Sequence, residues 1–230
     1  MTKTKSKVDD SSVEQVLTHI RSNIVSGEYP ADSKLLPKLI AEQCGTSFIP
    51  IREAMRALES EGLVTYIHNR GVWVTSLSVS DLDDLYLIRI ELEAGAVASA
   101  EQFTAKDISI LETILEKMAE SRQLGENNKV IKLNYEFHFS IYNKSNSPRR
   151  LKLIEQLWAH ADRYQRLSLK YRHDAADAEH HEIVKHLAVG NNLEAAKALT
   201  VHLETTARLV RAGFESSESI QKLEPNQHIN

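Results

Sequence analysis

Three histidines in the C-terminal part of the chain fall on the apolar faces of predicted helices. His180 is in phase with the apolar residues that follow it, whereas the adjacent His181 is rotated by about 100° toward the polar side of the same helix. His202 is also in phase with apolar residues of its helix. Asn134 and His138 are four residues apart, so they project from one face of a third helix.

These four side chains, Asn134, His138, His180 and His202, offer three imidazoles and one amide oxygen from three helices. Such a donor set suits a borderline divalent metal, with Zn²⁺ expected and Ni²⁺ or Mn²⁺ as alternatives. The alternative is that each histidine is only a hydrogen-bonded residue of the core.

A second histidine pattern points away from catalysis. The stretch from His181 to His186 resembles the zinc-protease motif HExxH but has one residue too many, so its two histidines lie about 140° apart on a helix. Glu136 is about 160° from His138 by helical phase, which leaves no evident general base. We therefore expect no enzyme, and a metal-dependent hydrolase is the least favoured alternative. A helical dimerisation scaffold with a structural metal is another.

The histidines belong to a C-terminal part that contains only predicted helices. Two of them begin at apparent capping boxes, Ser80 to Asp83 and Thr104 to Asp107. The six predicted helices span residues 80–100, 104–123, 127–145, 148–171, 174–189 and 192–213. Together they predict an all-α six-helix bundle over residues 80–214, followed by a polar, frayed tail over 215–230.

The N-terminal part has a different organisation. Residues 1–11 are polar and are expected to be a disordered arm. The predicted elements that follow are a helix from Ser12 to Gly27, a short helix from Pro37 to Cys44, a helix from Ser47 to Ser60, and a hairpin of residues 63–67 and 72–74. This order predicts a winged helix-turn-helix over residues 12–76, so the fold class is mainly α. Thr75 to Val79 is the expected linker between the two parts.

Composition limits the possible functions. The 230 residues are 42% hydrophobic and carry a net charge of -4, which argues against a protein that coats nucleic acid through bulk charge. Residues 1–80 hold nine basic and nine acidic side chains, so DNA contacts must come from locally placed cations. No apolar run reaches the roughly 20 residues of a membrane span, and the start has no signal-peptide core, so we expect a cytoplasmic protein. Cys44 is the single cysteine, which agrees with a reducing compartment.

The N-terminal motifs resemble those of the GntR family of bacterial transcription regulators. The resemblance is nearly continuous over residues 13–76. Its motifs are residues 25–30 (VSGEYP), 40–42 (IAE), 50–54 (PIREA) and 58–64 (LESEGLV), together with Leu36, Gly45, Ser47, Gly71 and Val74. The resemblance implies a homodimer that binds a short palindromic operator in double-stranded DNA.

The C-terminal part resembles the FCD ligand-binding domain of the FadR subfamily. The resemblance rests on Arg89, residues 92–93 (LE), 134–138 (NYEFH), 179–180 (EH) and 201–203 (VHL). It implies a small effector bound beside a divalent metal in the helical bundle. The whole chain then resembles an effector-controlled transcription regulator, and we expect a repressor of a catabolic operon.

The match to the family assigns DNA contacts by position. The predicted contacts are Lys38, Ser47, Phe48, Ile49, Arg52, Arg56, Arg70 and Gly71. Ser47 is expected to cap the recognition helix, while Arg52 and Arg56 lie one turn apart and can follow one strand. Phe48 stands where the family usually has an arginine that reads guanine. Phe48 and Ile49 are expected to contact thymine methyl groups, with packing in the core or at a dimer interface and loss of DNA binding as alternatives.

The effector site has one departure from the family. Asn134 stands where the family commonly has aspartate, so a metal held by neutral groups keeps its full charge. We therefore expect a small organic acid whose carboxylate completes the coordination. The predicted effector contacts are Arg89, Tyr135 and Arg163. The alternative for Arg89 is a buried ion pair with Glu93.

Overall fold

The computed structural model describes residues 5–167 and 175–223. The chain forms two compact units, residues 1–78 and 79–230, and the boundary falls within the predicted linker. The first unit is a winged helix-turn-helix and the second is built from helices. The predicted fold class is therefore confirmed.

The first helix, α1, spans Lys5–Ser26 and buries Val16, Ile20 and Ile24 on one face. The prediction of a disordered arm over residues 1–11 is wrong for residues 5–11, which are helical. This segment contains no glycine or proline, and polar side chains alone do not end a helix. Residues 1–4 lie outside the described residues.

The helix-turn-helix consists of α2 (Pro37–Cys44) and α3 (Phe48–Ser60). Pro37 occupies the first turn of α2, where its missing N–H costs no intrahelical hydrogen bond. Gly45 ends α2 with φ of 62°, in the left-handed region that glycine adopts without strain. Both features confirm the predicted turn between the two helices.

The wing is a three-stranded antiparallel sheet. Its strands are β1 (Lys34–Leu35), β2 (Val64–Ile67) and β3 (Gly71–Val74), in the order β1-β3-β2. The hairpin of β2 and β3 confirms the sequence prediction. Strand β1 was not predicted because a two-residue strand has no periodicity to detect.

The second unit contains six helices within its described residues. They are α4 (Val79–Ala98), α5 (Ala105–Gln123), α6 (Asn127–Tyr142), α7 (Pro148–Leu167), α8 (Ala175–Ala188) and α9 (Asn192–Leu223). A short 3-10 turn, Asn143–Ser145, extends α6. The part of the predicted fourth helix beyond residue 167 lies outside the described residues.

The end of α9 corrects a second prediction. The tail over residues 215–230 was expected to fray, but α9 continues through Leu223. No glycine or proline follows Phe214 before that point, so nothing in the backbone chemistry stops the helix. Residues 224–230 lie outside the described part of the chain.

The two predicted capping boxes have different outcomes. Helix α4 begins at Val79, so Ser80 lies inside the helix and its predicted cap is wrong. Thr104 does cap α5: its Oγ1 accepts from the Asp107 N–H (3.2 Å), and its own N–H donates to Asp107 Oδ2 (2.7 Å). Hydrogen bonds from Lys144 and then from Thr104 lower the pKa of Asp107 to about 2, so the box is intact at neutral pH.

The bundle packs around one apolar core that draws residues from all six helices, including Val97, Leu115, Phe137, Ile154 and Leu199. Of the helices that the structure describes, none has the length and apolar character needed to cross a membrane.

We expect Thr104→Ala to lower the free energy of unfolding by about 1 kcal/mol, because it removes the side-chain acceptor at the start of α5. Thr113→Ala is the matched control, since Thr113 is exposed on the same helix and its hydroxyl only donates to the Ser109 carbonyl. Urea unfolding followed by circular dichroism measures both. Equal effects of the two variants would contradict the capping role.

Candidate nucleic-acid interface and metal centre

The start of α3 presents large apolar side chains to solvent. Phe48 is 55% exposed and Ile49 is 69% exposed, whereas Ile51 and Met55 on the same helix are buried. The alternative that Phe48 or Ile49 packs into the core of its own domain is therefore wrong. Ser47 takes the predicted N-cap position, but its hydroxyl makes no capping hydrogen bond. That hydroxyl is exposed and free of a role in the helix.

The predicted phosphate contacts on the two helices are also exposed. Lys38 lies on α2, and Arg52 and Arg56 lie one turn apart on α3. Glu59, a candidate partner of these arginines, instead accepts a hydrogen bond from the Tyr66 N–H (3.2 Å). The helix is anchored behind this surface by Arg21 of α1, whose Nη2 and Nε donate to both carboxylate oxygens of Glu61 (2.6 and 3.0 Å).

The tip of the wing carries the predicted contacts Arg70 and Gly71. The Arg70 guanidinium lies over the Trp73 ring, 5.2 Å from its centroid, and the Trp73 indole donates to the Arg70 carbonyl (3.2 Å). Gly71 has φ of 91°, and a Cβ atom there would lie 3.3 Å from Lys34 Cε. Lys34 of β1 therefore brings a second cation to the wing tip that no sequence motif indicated.

Inside the second unit, the structure brings His138, His180 and His202 together. One ring nitrogen of each lies within 4.8 Å of the others, and all three residues are buried. The Nε2 atoms of His138 and His180 are 3.3 Å apart. His181 is exposed on α8, with its Nδ1 2.7 Å from the Asp177 carbonyl oxygen. The predicted inward and outward directions of the two neighbouring histidines are thus correct.

Two of the histidines are held through their Nδ1 atoms. His138 Nδ1 is 2.9 Å from the Tyr142 hydroxyl, and His202 Nδ1 is 2.9 Å from Glu179 Oε2. Burial, and then the charge of Glu93, raise the pKa of Tyr142 well above its usual value, so this hydroxyl keeps its proton. Carboxylate and hydroxyl partners of this kind orient metal-binding imidazoles in proteins.

The residues fit a divalent metal. Two nitrogens bound to Zn²⁺ at tetrahedral angles lie about 3.3–3.4 Å apart, because each Zn–N bond is about 2.0–2.1 Å long. The separation of 3.3 Å between His138 Nε2 and His180 Nε2 agrees with this value. Asn134 lies one turn before His138 on α6 and is half-buried, so its place as a fourth ligand stays a prediction.

Arg89 forms the ion pair that was the alternative to its role as an effector contact. Its Nε donates to Glu93 Oε1 (2.6 Å), and both side chains are almost fully buried. Burial is the largest single influence and lowers the pKa of Arg89. The charge and hydrogen bond of Glu93, together with Tyr86 and Tyr142, outweigh burial, so the pKa lies above its ordinary value. The guanidinium carbon also lies 4.9 Å from the Tyr86 ring centroid and 4.8 Å from that of Trp158.

The ion pair with Glu93 leaves one nitrogen of the Arg89 guanidinium without a hydrogen bond in the described part of the chain. Its Nη1 is buried, and no acceptor among the described residues forms a hydrogen bond with it. Trp158 contacts His138 as well as Arg89, with ring centroids of Trp158 and His138 5.3 Å apart. A charged donor without an acceptor therefore lies in the same buried region as the histidines.

The other two predicted effector contacts are less clearly part of this region. Tyr135 is partly exposed, stacks on Phe139 at 4.0 Å, and donates to Glu155 Oε1 (3.4 Å). Burial and then Glu155 raise the pKa of Tyr135 to about 12. The structure thus places Tyr135 beside Phe139 rather than against the histidines. Arg163 is buried in α7, and its contact with an effector stays a prediction.

Sequence reasoning missed several residues of the site. Tyr142 follows His138 by four positions, so helical spacing was a usable signal for that pair. Glu179 on α8 meets His202 on α9, and Trp158 on α7 meets His138 on α6. Nothing in the local sequence pattern indicates those two contacts.

A winged helix-turn-helix followed by an all-helical domain is an architecture typical of DNA-binding transcription regulators. Residues 12–74 match the bacterial regulatory proteins of the gntR family, and residues 84–205 match the FCD domain. The chain belongs to the GntR family of transcription regulators, in the group with an FCD domain. The expectation that it is not an enzyme is confirmed by this membership.

Individual relatives agree with the family. The HTH-type transcriptional regulator McbR of Escherichia coli is 34% identical over 145 residues, which cover 63% of this chain and 66% of McbR. The uncharacterized regulator YdhC of Bacillus subtilis is 30% identical over 187 residues, 80% of this chain and 83% of YdhC. The solved structure of E. coli McbR/YncC is similar with a TM-score of 0.77 at 25% identity, covering 88% of this chain and 98% of that one.

The exposure of Phe48 predicts that its side chain contributes little to folding. We expect Phe48→Ala to change the free energy of unfolding by less than about 0.5 kcal/mol. Met55→Ala is the comparison on the same helix, and it should cost about 2–5 kcal/mol because Met55 is buried in the core. Chemical denaturation of both variants measures the difference. A loss for Phe48→Ala as large as that for Met55→Ala would mean that Phe48 packs in the core.

Proposed function

We propose that this protein is a homodimeric repressor of a catabolic operon, controlled by a small carboxylate that binds beside a divalent metal in the helical domain. The unbonded Nη1 of Arg89, buried close to a cluster of three histidines, carries the proposal. A buried charged donor without an acceptor costs free energy, commonly more than the 1–3 kcal/mol of a neutral group. An anionic ligand would satisfy it.

The DNA-reading side of the proposal rests on the exposed start of α3. A recognition helix contacts base edges with its first residues, which here are Phe48 and Ile49. Neither side chain can hydrogen-bond a base edge, but both can bury the methyl group of thymine in the major groove. Arg52, Arg56 and the wing cations would hold phosphates and set the register. The operator should then differ from the guanine-containing half-sites that an arginine at position 48 would select.

The metal would be held by His138, His180 and His202, with Asn134 as a neutral fourth ligand. Zn²⁺ is the expected ion, and Ni²⁺ or Mn²⁺ is the alternative. Bound there, the metal supplies an uncompensated double positive charge that attracts an anion. Aspartate in place of Asn134 would reduce that charge, so the asparagine favours a more anionic effector and weakens the protein's own hold on the ion.

The effector would occupy the region between the histidines and Arg89. A carboxylate can bind the metal with one oxygen and accept a hydrogen bond from Arg89 Nη1 with another. Arg163 is buried on α7 and is the further candidate anion contact. An effector changes DNA binding only if it binds the DNA-bound and released states with different affinities.

The repressor role is inferred from the name of a relative, and dimerisation is inferred from exposed apolar residues on α4. One relative, 29% identical over 82% of this chain, is named as a probable D-xylose utilization operon transcriptional repressor of Paenarthrobacter nicotinovorans. On α4, Leu87 and Ile88 are 66% and 43% exposed, which favours burial against a second copy. A twofold dimer would read a palindromic operator, and a protein with this role would work in the cytoplasm.

A scaffold with a purely structural metal is the second candidate. It explains the histidine cluster but not the buried Arg89 Nη1 that lacks an acceptor. A structural site would normally be closed by protein ligands and would leave no charged donor unsatisfied beside it.

Replacing thymine by deoxyuridine tests the base contact, because it removes only the methyl group. Once an operator has been selected from random DNA, we expect each contacted methyl to be worth about fourfold in affinity, from roughly 0.8 kcal/mol per buried methyl. Phe48→Ala should lose this dependence, and Phe48→Arg should shift selection toward guanine. Binding of Phe48→Ala that still depends on the same methyls would contradict the contact. A selected site without twofold symmetry would contradict the homodimer.

Adjacent histidines on α8 provide a matched test of the metal site. We expect His180→Ala to lose stoichiometric zinc and His181→Ala to retain it, because only His180 joins the cluster. Elemental analysis after dialysis against zinc measures both, and circular dichroism checks that each variant folds. A thermal-shift screen of small carboxylates with and without chelator then seeks the effector. If the wild-type protein binds no zinc, or if His180→Ala retains as much zinc as His181→Ala, the metal site is wrong.

A further inference from the structure

A continuous chain of hydrogen bonds joins Arg89 to His138. Arg89 donates to both oxygens of Glu93, at 2.6 Å from Nε and 3.4 Å from Nη2. Glu93 Oε2 is also 2.5 Å from the Tyr142 hydroxyl, which in turn is 2.9 Å from His138 Nδ1. All four residues are buried, so water does not compete for these bonds.

The protons in this chain have only one consistent arrangement. Glu93 accepts from Arg89 through both oxygens, so it is the acceptor for the Tyr142 hydroxyl as well. Tyr142 has one proton to donate, and that proton goes to Glu93. Its oxygen must therefore accept from His138 Nδ1–H, which leaves the lone pair of His138 on Nε2. That is the atom that lies 3.3 Å from His180 Nε2.

We propose that Glu93 and Tyr142 are positioning residues that hold His138 in the tautomer and orientation that bind a metal, and that couple this ligand to the anion-binding Arg89. The inference rests on the proposed metal site, and it adds how that site communicates with the effector. His138 donates through a hydroxyl to a carboxylate, and such an outer partner raises the basicity of a metal-binding imidazole.

The coupling follows from the shared guanidinium. Arg89 holds Glu93 through Nε and Nη2, while Nη1 is the group left for an effector carboxylate. An anion bound to Nη1 interacts with the same positive charge that holds Glu93. It therefore alters how strongly Glu93 accepts the hydrogen bond from Tyr142. Because coupling between two sites is reciprocal, a change in the metal site alters the affinity for the anion by the same factor.

The test is the zinc affinity of the full chain, measured by competition with a chromophoric chelator. We expect Tyr142→Phe to weaken zinc binding by about 10–100-fold, the usual effect of losing an outer partner of a metal ligand. Tyr164→Phe is the matched control and should leave zinc affinity unchanged. Tyr164 is also a buried tyrosine whose hydroxyl donates to a carboxylate, Asp81 Oδ2 at 2.6 Å, but it is not part of the chain to His138.

A second variant tests the carboxylate that accepts from Tyr142, and circular dichroism checks that each variant folds. Glu93→Gln keeps an acceptor for the Tyr142 hydroxyl but removes the charge, so it should weaken zinc binding by a smaller factor than Tyr142→Phe. The absorption spectrum of bound Co²⁺ provides a further readout, and it should change in both variants and stay unchanged in Tyr164→Phe.

The role of Arg89 is tested by a double-mutant cycle with zinc alone. Arg89→Gln should change zinc affinity in the wild-type background and have little effect in the Tyr142→Phe background, because its influence passes through that hydroxyl. Additive effects would overturn the coupling. Wild-type zinc affinity in both Tyr142→Phe and Glu93→Gln would overturn the positioning role alone, whereas a wild-type protein that binds no zinc would overturn the metal site itself.

Discussion

The helical domain is organised around a buried ion pair, Arg89 with Glu93, on α4. Removing two charges from water is expensive, and their mutual attraction repays the cost only when further hydrogen bonds and contacts complete the pair. Here the rings of Tyr86 and Trp158 lie against the Arg89 guanidinium, and the Tyr142 hydroxyl donates a hydrogen bond to the Glu93 carboxylate. The pair thereby fixes side chains of two other helices, Tyr142 on α6 and Trp158 on α7. Replacing a buried ion pair by apolar residues of similar volume often leaves a protein equally stable. A role in binding therefore explains the presence of this pair better than a contribution to stability does.

The same region shows which parts of a site are visible in a sequence. His180 and His181 are neighbours, yet helical phase alone assigned one to the interior and the other to the surface, and the structure agrees. Phase succeeds there because α8 is a regular helix with a continuous apolar stripe. Contacts between helices have no such signal. Glu179 reaches His202 across 23 positions of sequence, and Trp158 reaches His138 across helices.

The fold itself was largely predictable, and its errors share a cause. The winged helix-turn-helix and the six helices follow from apolar periodicity and from turn residues such as Gly45. The errors lie at ends: α1 begins earlier, α9 ends later, and Ser80 is inside α4. The position of a helix end depends on small free-energy differences among polar residues, whereas burial of the apolar stripe stabilises the helix by many kcal/mol.

The exposure of Phe48 and Ile49 has a consequence for how such a regulator can diversify. These two side chains contribute little to the core, whereas the helix beneath them is held by buried residues and by the Arg21–Glu61 pair. Substitutions at the two exposed positions are therefore nearly free of a folding penalty. A duplicated copy of this protein could therefore alter the exposed start of α3 through one or two changes, while its helical domain stays as it was.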